Sequence, residues 1–275
     1  MPGGTVVYIV VSPSMNHLKK LVLVYLVDPF IGAGETLFLL LRTALVLPHL
    51  FFKRQETLTQ MYLAGFKSLF VVSIVATFTG MIISLQTGLA LLDFGQQDLI
   101  GQVIVVTLTR EMSPFMTALI LSASVGSAMA AEIGTMKVSE EIDALEVMSI
   151  DPIKYLVLPR VIGFTIMIPV LANYASTLGI VGGSLVANTQ LGVEFDTYYT
   201  LVLEILKSKN GLKDIWVGNF KAYIFGLTIS AISCHQGLSA KGGAIGVGIA
   251  VRQAVVQSFL FVIIFGYFLS AIFYR

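Results

Sequence analysis

Two adjacent residues of opposite charge, Arg110 and Glu111, stand inside a long apolar stretch of the sequence. If that stretch crosses a bilayer, each charge costs about 2.5–3.5 kcal/mol and must face protein or water. Consecutive helical residues point about 100° apart, so the two side chains do not neutralise each other fully. Pro114 cannot donate a hydrogen bond to the Arg110 carbonyl, which favours a kink at that level. The arrangement suits the wall of a polar-lined cavity; the alternative is a charge pair that holds helices together.

The acidic segment 131–148 is the second candidate. Val138, Ile142 and Leu145 follow helical spacing, which predicts a short amphipathic helix with one apolar row. Its polar face carries one basic and five acidic side chains: Lys137, and Glu132, Glu140, Glu141, Asp143 and Glu146. Pro152 ends the helix, because the residue before a proline avoids helical geometry. Such a helix either lies on the bilayer, for which an acidic face is a poor match, or docks in a groove of a cytoplasmic partner.

Catalytic and metal-binding patterns are absent from the sequence. The glycine-rich stretch 237–248 has the glycine spacing of a phosphate loop, but Gly243 and Ala244 stand where the Lys and Ser/Thr must be. The three histidines form no HExxH zinc motif, and the single cysteine, Cys234, cannot form an internal disulfide. We therefore expect no catalytic residue, no metal site and no ATP site, so that any ATP-driven work needs another subunit.

The composition predicts that the elements holding these residues lie in a membrane. Hydrophobic residues make up 56% of the 275 residues, charged residues make up 12%, and the mean hydropathy is +0.88. A soluble globular chain carries roughly twice that charged fraction. The net charge of +1, without a basic stripe, gives no reason to expect a nucleic-acid partner.

Five stretches with few or no charges are long enough to cross a bilayer, which takes about 20 apolar residues. They cover residues 68–92, 112–131 with an upstream extension from 99, 161–193, 222–240 and 253–274. The sequence thus predicts an all-α integral membrane protein with about five transmembrane helices.

Residues 1–60 are expected to form an N-terminal tail and a helix in the membrane interface, followed by a five-span domain at 61–275. Charged residues cut the range 21–60 into runs too short to cross. Apolar positions in that range follow a helical repeat with one apolar side: Phe30, Leu37, Leu41, Leu45 and Phe52. The alternative is a poorly formed first span. Met15, followed closely by two lysines, is a second candidate for the start of translation beside Met1.

Lysine and arginine residues cluster before the first span and in the loops after the second and fourth spans, whereas the loop 93–101 has none. Such residues favour the cytoplasmic side of a membrane. We therefore expect the N-terminus and the segments 131–159 and 237–251 in the cytoplasm, and the loop 93–101 and the C-terminus outside. Three lysines between positions 207 and 213 oppose this assignment.

The first span offers side chains that suit an amphiphile. Its polar residues are expected to avoid lipid: Thr77, Thr79, Ser84, Gln86 and Thr87. The apolar neighbours Met81, Leu85, Leu89 and Leu92 either line a space for an amphiphile or face the bilayer. We predict a lipid-binding set of seven residues: Met81, Leu85, Gln86, Leu89, Leu92, Arg110 and Glu111.

Several segments resemble the permeases of MCE-associated ABC transporters, the MlaE or YrbE type. The matching segments are GMIISLQ at 80–86, LTREMSPFMTALILSASVGSAMAAEIGTMKVSEEIDAL at 108–145, MSIDPIKYLVLPR at 148–160, GGSLV at 182–186 and KGGAIGVG at 241–248. The resemblance covers most of residues 60–275, and its central block is long enough to be specific.

The resemblance implies an interfacial helix followed by five spans, paired as a homodimer around a lipid-binding cavity in the cell inner membrane. It implies a cytoplasmic ABC ATPase that binds ATP and magnesium and contacts the helix 131–148, and an MCE-domain substrate-binding protein on the outer side. The implied cargo is phospholipid moved between inner and outer membranes, which bears on the lipid asymmetry of the outer membrane. Gly88 stands where some relatives carry a larger side chain, which alters the expected cavity wall.

Two other function classes fit the sequence less well. A secondary transporter of a small amphiphile would show two repeated halves, whereas an odd number of spans without an internal repeat argues against it. A membrane-embedded enzyme would need a nucleophile, a base or a metal set, and the sequence offers none.

Overall fold

The computed structural model describes residues 28–47 and 53–275, and these form helices without a strand. The helices are α1 (Asp28–Leu45), α2 (Arg54–Asp93), α3 (Gln97–Val138), α4 (Glu141–Val147), α5 (Ile153–Leu191), α6 (Phe195–Lys207), α7 (Lys209–Leu238) and α8 (Gly243–Tyr274). The fold is therefore all-α, as the composition predicts.

Five of these helices, α2, α3, α5, α7 and α8, are long and apolar enough to cross a membrane, which confirms the predicted number of spans. They contain 30 to 42 residues each, more than the roughly 20 that a bilayer requires. The predicted apolar runs end within two residues of the ends of α2, α5, α7 and α8, but they begin 8 to 14 residues after these helices start. The starts were missed because a helix can extend beyond its apolar run into a polar segment. Successive spans run in opposite directions, so the bundle has one end with α4 and an opposite end with α6.

Helix α1 is not part of a span. It packs against the end of the bundle that carries α4. Glu35 of α1 approaches His235 of α7, with 3.3 Å between Oε2 and Nε2. Leu37, Leu41 and Leu45 are exposed, in keeping with the predicted apolar side, while Phe52 and the side chain of Phe30 lie outside the described residues. An interfacial position for α1 stays a prediction.

The contact between α2 and α5 depends on small residues. A Cβ atom at Gly80 would overlap the carbonyl group of Gly179, and one at Gly182 would overlap that of Thr77. Residues at every fourth position form the buried stripe of α2: Val72, Ala76, Gly80, Ser84 and Gly88. The absence of side chains lets the two backbones approach closely, which is how helices associate in a membrane.

Helix α3 is the central element, since it packs against the other four spans. It contains two π-helical turns, Leu108–Met112 and Ser122–Gly126. Such turns are frequent at functional sites. The first turn contains Arg110 and Glu111.

The segment 131–148 is two helices rather than the single helix that we predicted. Helix α3 continues to Val138, and α4 begins only at Glu141. Glu140 and Ser149, on either side of α4, both have a φ angle of 61°. A positive φ interrupts a right-handed helix and is uncommon for residues other than glycine, so the amphipathic spacing did not reveal the break.

Helix α6 was not predicted. It lies between the third and fourth spans and packs its buried residues Tyr198 and Val202 onto the start of α3. The Tyr198 hydroxyl donates to the carbonyl of Ile180 at 3.0 Å. Burial raises the pKa of the Tyr198 hydroxyl, which therefore stays a neutral donor.

Candidate functional site

Glu111 is bound to residues of two other spans at the first π-helical turn of α3. Lys221 Nζ of α7 lies 2.5 Å from Glu111 Oε1, 2.9 Å from Ser270 Oγ and 3.2 Å from the Arg110 carbonyl oxygen. Ser270 Oγ of α8 donates to Glu111 Oε1 at 2.8 Å. The three donors of the Lys221 ammonium are thus all used, although its side chain is only 1% exposed.

Arg110 is held by a second set of contacts. Its Nε and Nη2 atoms each donate to the carboxylate of Asp214 at 3.1 Å. The Tyr274 hydroxyl donates to Asp214 Oδ1 at 2.7 Å, and the Arg110 guanidinium lies 3.9 Å from the centre of the Tyr274 ring. Arg110 therefore makes a bidentate ion pair with Asp214 and a cation–π contact with Tyr274, and the planar guanidinium is well shaped for both.

We call these six side chains the charged network: Arg110, Glu111, Asp214, Lys221, Ser270 and Tyr274. It connects α3, α7 and α8 and contains two cations and two anions, so its formal charges balance. These contacts are those of a charge pair that holds helices together, which was the alternative to a cavity wall. A cavity wall is compatible with them, because the side chains of Arg110 and Glu111 remain 34% and 35% exposed.

The sequence around the charged network explains how α7 reaches α3. Asp214, Gly218 and Lys221 share one face of α7, since they are four and three residues apart. A Cβ atom at Gly218 would overlap the carbonyl of Thr109. Pro114 cannot supply the usual i+4 donor to the Arg110 carbonyl, and Lys221 donates to that carbonyl.

A groove of about 280 Å³ lies beside Glu111, between α3, α7 and α8. We call it the Glu111 groove. Its polar side chains are Glu111, Tyr267 and Ser270. The other side chains that line it are apolar: Met112, Phe115, Phe225 and Ile263, with Gly266. A groove with polar and apolar parts can hold an amphiphile.

A narrower groove lies on the other side of Met112, between α2, α3 and α5. The α2 residues that line it are Val72, Val75, Ala76 and Thr79. The predicted lipid contacts on α2 lie further along the helix: Met81 and Leu85 are half-buried, and Gln86, Leu89 and Leu92 are exposed. The residues around the Glu111 groove come from α3, α7 and α8 alone, so these five α2 residues form a separate surface.

The predicted ATPase-coupling residues fall into two groups. Glu132 Oε2 lies 3.2 Å from Nη2 of Arg160, and Lys137 Nζ lies 2.6 Å from Asp143 Oδ1, so these residues bind within the chain. Glu140, Glu141 and Glu146 are exposed.

The helix α4 also presents apolar residues that the sequence pattern did not identify. Ile142 is buried and anchors α4 to the bundle, whereas Val147 is 86% exposed, Met148 61% and Ile150 37%. We call Val147, Met148 and Ile150 the α4 tip. An exposed apolar patch with polar residues at its rim is typical of a surface that contacts another protein or a membrane.

Within residues 28–47 and 53–275, no three His, Cys, Asp or Glu side chains stand close enough together to hold a metal ion. Cys234 is buried among apolar residues of α5, α7 and the end of α3.

Comparison with known proteins adds an independent observation. The family model described as Permease MlaE matches residues 57–272. A probable ABC transporter permease protein of Synechocystis is 39% identical over 217 residues, which are 79% of this chain and 81% of that protein. The intermembrane phospholipid transport system permease protein MlaE of Haemophilus influenzae is 31% identical over 90% of this chain and 93% of its own length. The chloroplast protein TRIGALACTOSYLDIACYLGLYCEROL 1 of Arabidopsis thaliana is 35% identical over 80% of this chain and 62% of that protein.

Proposed function

Because the chain belongs to the MlaE permease family, we propose that it is the membrane-spanning permease of an ABC transporter for phospholipids. The observation that supports this most directly is the family match from residue 57 to residue 272, which includes nearly all of the five spans. The phospholipid cargo comes from the name of the Haemophilus relative. A secondary transporter is not favoured, since the Synechocystis relative is named as a probable ABC transporter permease and the Haemophilus relative as the permease of a phospholipid transport system.

Energy for transport comes from a separate cytoplasmic ATPase in this proposal, so the permease itself is non-catalytic and ATP and magnesium bind to the partner. The docking surface for that ATPase is α4, with the α4 tip seated in an apolar groove and the exposed carboxylates Glu140, Glu141 and Glu146 at its rim. Glu132, Lys137 and Asp143 already form ion pairs within the chain, so in this proposal they hold α4 in position and do not bind the ATPase directly.

Two further partners belong to the proposal. The first is a second copy of the chain. A homodimer is supported by the presence of two separate candidate lipid surfaces, the Glu111 groove and the α2 face with Leu85 and Leu89. A dimer could bring the α2 face of one protomer to the groove of the other. The spans α2 and α8 are also the least buried of the five in a single chain. An MCE-domain protein on the outer side follows from family resemblance.

The chain is a multi-pass membrane protein, and we place it in the inner membrane with its N-terminus in the cytoplasm. This orientation puts α4 in the cytoplasm, where an ATPase can reach it, and it puts the charged network towards the outer side. Impermeant labelling of a cysteine at position 139 in intact cells, with Cys234 replaced, tests the orientation. Labelling from outside would contradict it.

Affinity purification of the tagged chain from its native membrane tests the proposed function. We expect an ABC ATPase and phospholipid in the purified complex, with ATP hydrolysis that depends on the partner. Hydrolysis or transport by the isolated chain would contradict the proposal. The same preparation from a strain that lacks the ATPase provides the control.

A further inference from the structure

The Glu111 groove has one carboxylate oxygen available to a ligand. Both hydrogen bonds described for the Glu111 side chain, from Lys221 and from Ser270, end on Oε1. Oε2 takes part in neither, and the side chain is 35% exposed beside the groove. Carboxylate oxygens accept several hydrogen bonds, and those from cationic donors are the strongest.

We propose that the Glu111 groove selects phospholipids whose headgroup carries a primary ammonium, which donates to Glu111 Oε2. This inference rests on the proposed function and specifies the lipid class that this surface takes. The acyl chain of the same lipid lies against Met112, Phe115 and Ile263, the apolar residues of the groove.

The neighbouring cations explain why an ammonium is preferred to a bare phosphate. Lys221 is 1% exposed and uses its three donors on Glu111, Ser270 and the Arg110 carbonyl. Arg110 is engaged by Asp214 and is not among the residues that line the groove. A phosphate in the groove therefore meets a carboxylate before it meets a free cationic donor, and like charges at close range repel.

A zwitterionic headgroup avoids this repulsion. Its ammonium binds Glu111, and its phosphate can accept a hydrogen bond from the Tyr267 hydroxyl, which belongs to the same groove. The two charges of the headgroup cancel, so the balance of the charged network is kept. An anionic headgroup such as phosphatidylglycerol brings one uncompensated negative charge.

The experiment uses the assembled complex in nanodiscs that contain phosphatidylethanolamine, phosphatidylglycerol and phosphatidylcholine with identical acyl chains. Lipids that stay with the complex after delipidation are measured by mass spectrometry. We expect phosphatidylethanolamine to be enriched over phosphatidylglycerol about tenfold, the ratio that one charge-assisted hydrogen bond supports. Phosphatidylcholine should fall between them, because its quaternary ammonium has charge but no N–H donor. Retention of the three lipids in their nanodisc ratio would overturn the proposal.

Two variants make the test specific. The double variant Glu111→Gln with Lys221→Gln removes both charges but keeps hydrogen-bonding groups, and it should abolish the preference for phosphatidylethanolamine. Gly266→Leu places a side chain in the groove, where a Cβ atom already lies 3.6 Å from the Phe225 ring, and it should lower the retained phosphatidylethanolamine. The matched control is Gly248→Leu on the same helix, where a Cβ atom meets nothing within 4 Å.

Persistence of the preference in the double variant, or equal retention by Gly266→Leu and Gly248→Leu, would overturn the groove assignment. The proposed function fails differently. If the complex moves no phospholipid with ATP, the permease assignment is wrong, whereas ATP-driven movement of all three lipids without preference refutes only the headgroup inference.

Discussion

The charged network and α4 use the same residue types in opposite ways. In the charged network, Asp214 and Lys221 are 3% and 1% exposed, and their charges are matched by partners on other helices. On α4, Glu140 and Glu146 are exposed, and the ion pair between Lys137 and Asp143 is partly exposed at 30% and 54%. The first arrangement holds three spans together, and the second leaves charged groups in contact with solvent.

Burial decides the difference between the two regions. A charge removed from water must be paired and hydrogen-bonded, and breaking such a pair costs several kcal/mol. An exposed pair contributes about 0–1 kcal/mol. Substitutions in the charged network should therefore reduce the stability of the bundle, and substitutions on α4 should reduce the binding of a partner.

Lys221→Met should have the largest effect on stability. It removes the only described side-chain cation that pairs with Glu111, and it removes the side-chain donor to the Arg110 carbonyl. We expect a loss of about 3 kcal/mol, the lower end for a broken buried pair, because Glu111 is partly solvated. Thermal unfolding of the purified permease measures the loss, and Lys221→Met with Glu111→Leu should recover part of it. If the single variant unfolds at the wild-type temperature, the charged network does not stabilise the bundle more than the exposed charges of α4 do.

Val147→Glu with Met148→Glu should affect binding instead of stability. Both side chains are largely exposed, so the unfolding temperature should not change. The affinity for the ATPase should fall about 30-fold, the effect expected when central apolar contacts of an interface are lost. Phe94→Glu provides the control, since Phe94 is 78% exposed and lies at the opposite end of the bundle. Wild-type affinity in the double variant would show that α4 does not dock.

Tyr274→Phe should have a smaller effect that separates the parts of the charged network. The ring that stacks on Arg110 stays, and the hydroxyl that donates to Asp214 is lost. We expect about 1 kcal/mol, which corresponds to a fall of roughly 2–4 °C in the unfolding temperature. A fall as large as that of Lys221→Met would mean that the hydroxyl, rather than the ion pairs, organises this end of the bundle.

Asp143→Asn should have the smallest effect. The pair with Lys137 is partly exposed, so its loss should change stability by less than about 1 kcal/mol and the change should disappear at high salt. Unfolding measured in low and high salt checks this. A large, salt-independent loss would contradict the distinction between the two regions.

Much of this organisation was predictable from residue patterns, because it depends on local sequence. The five spans follow from runs of apolar residues, and the importance of Arg110 and Glu111 follows from charge inside such a run. The missing i+4 donor to the Arg110 carbonyl follows from the covalent structure of Pro114. Each of these inferences concerns residues that are close together along the chain.

The partners of those residues were not predictable in the same way. Asp214 and Lys221 are more than 100 positions from Arg110, and no local pattern links residues so far apart in the chain. Ser270 and Tyr274 carry no signal of their own, since hydroxyl groups are common in such helices. The break at Glu140 depends on a backbone angle, and the exposure of Val147 and Met148 is the opposite of what their apolar character predicts.

ATP-driven movement of phospholipid by the reconstituted complex tests the central claim most directly. The permease and its ATPase are placed in liposomes with a labelled phospholipid, and transfer to an acceptor is followed with ATP and with a non-hydrolysable analogue. We predict transfer that requires ATP hydrolysis and is lost in Val147→Glu with Met148→Glu, although that variant is folded and inserted. Transfer at the same rate without the ATPase, or with the double variant, would contradict the account.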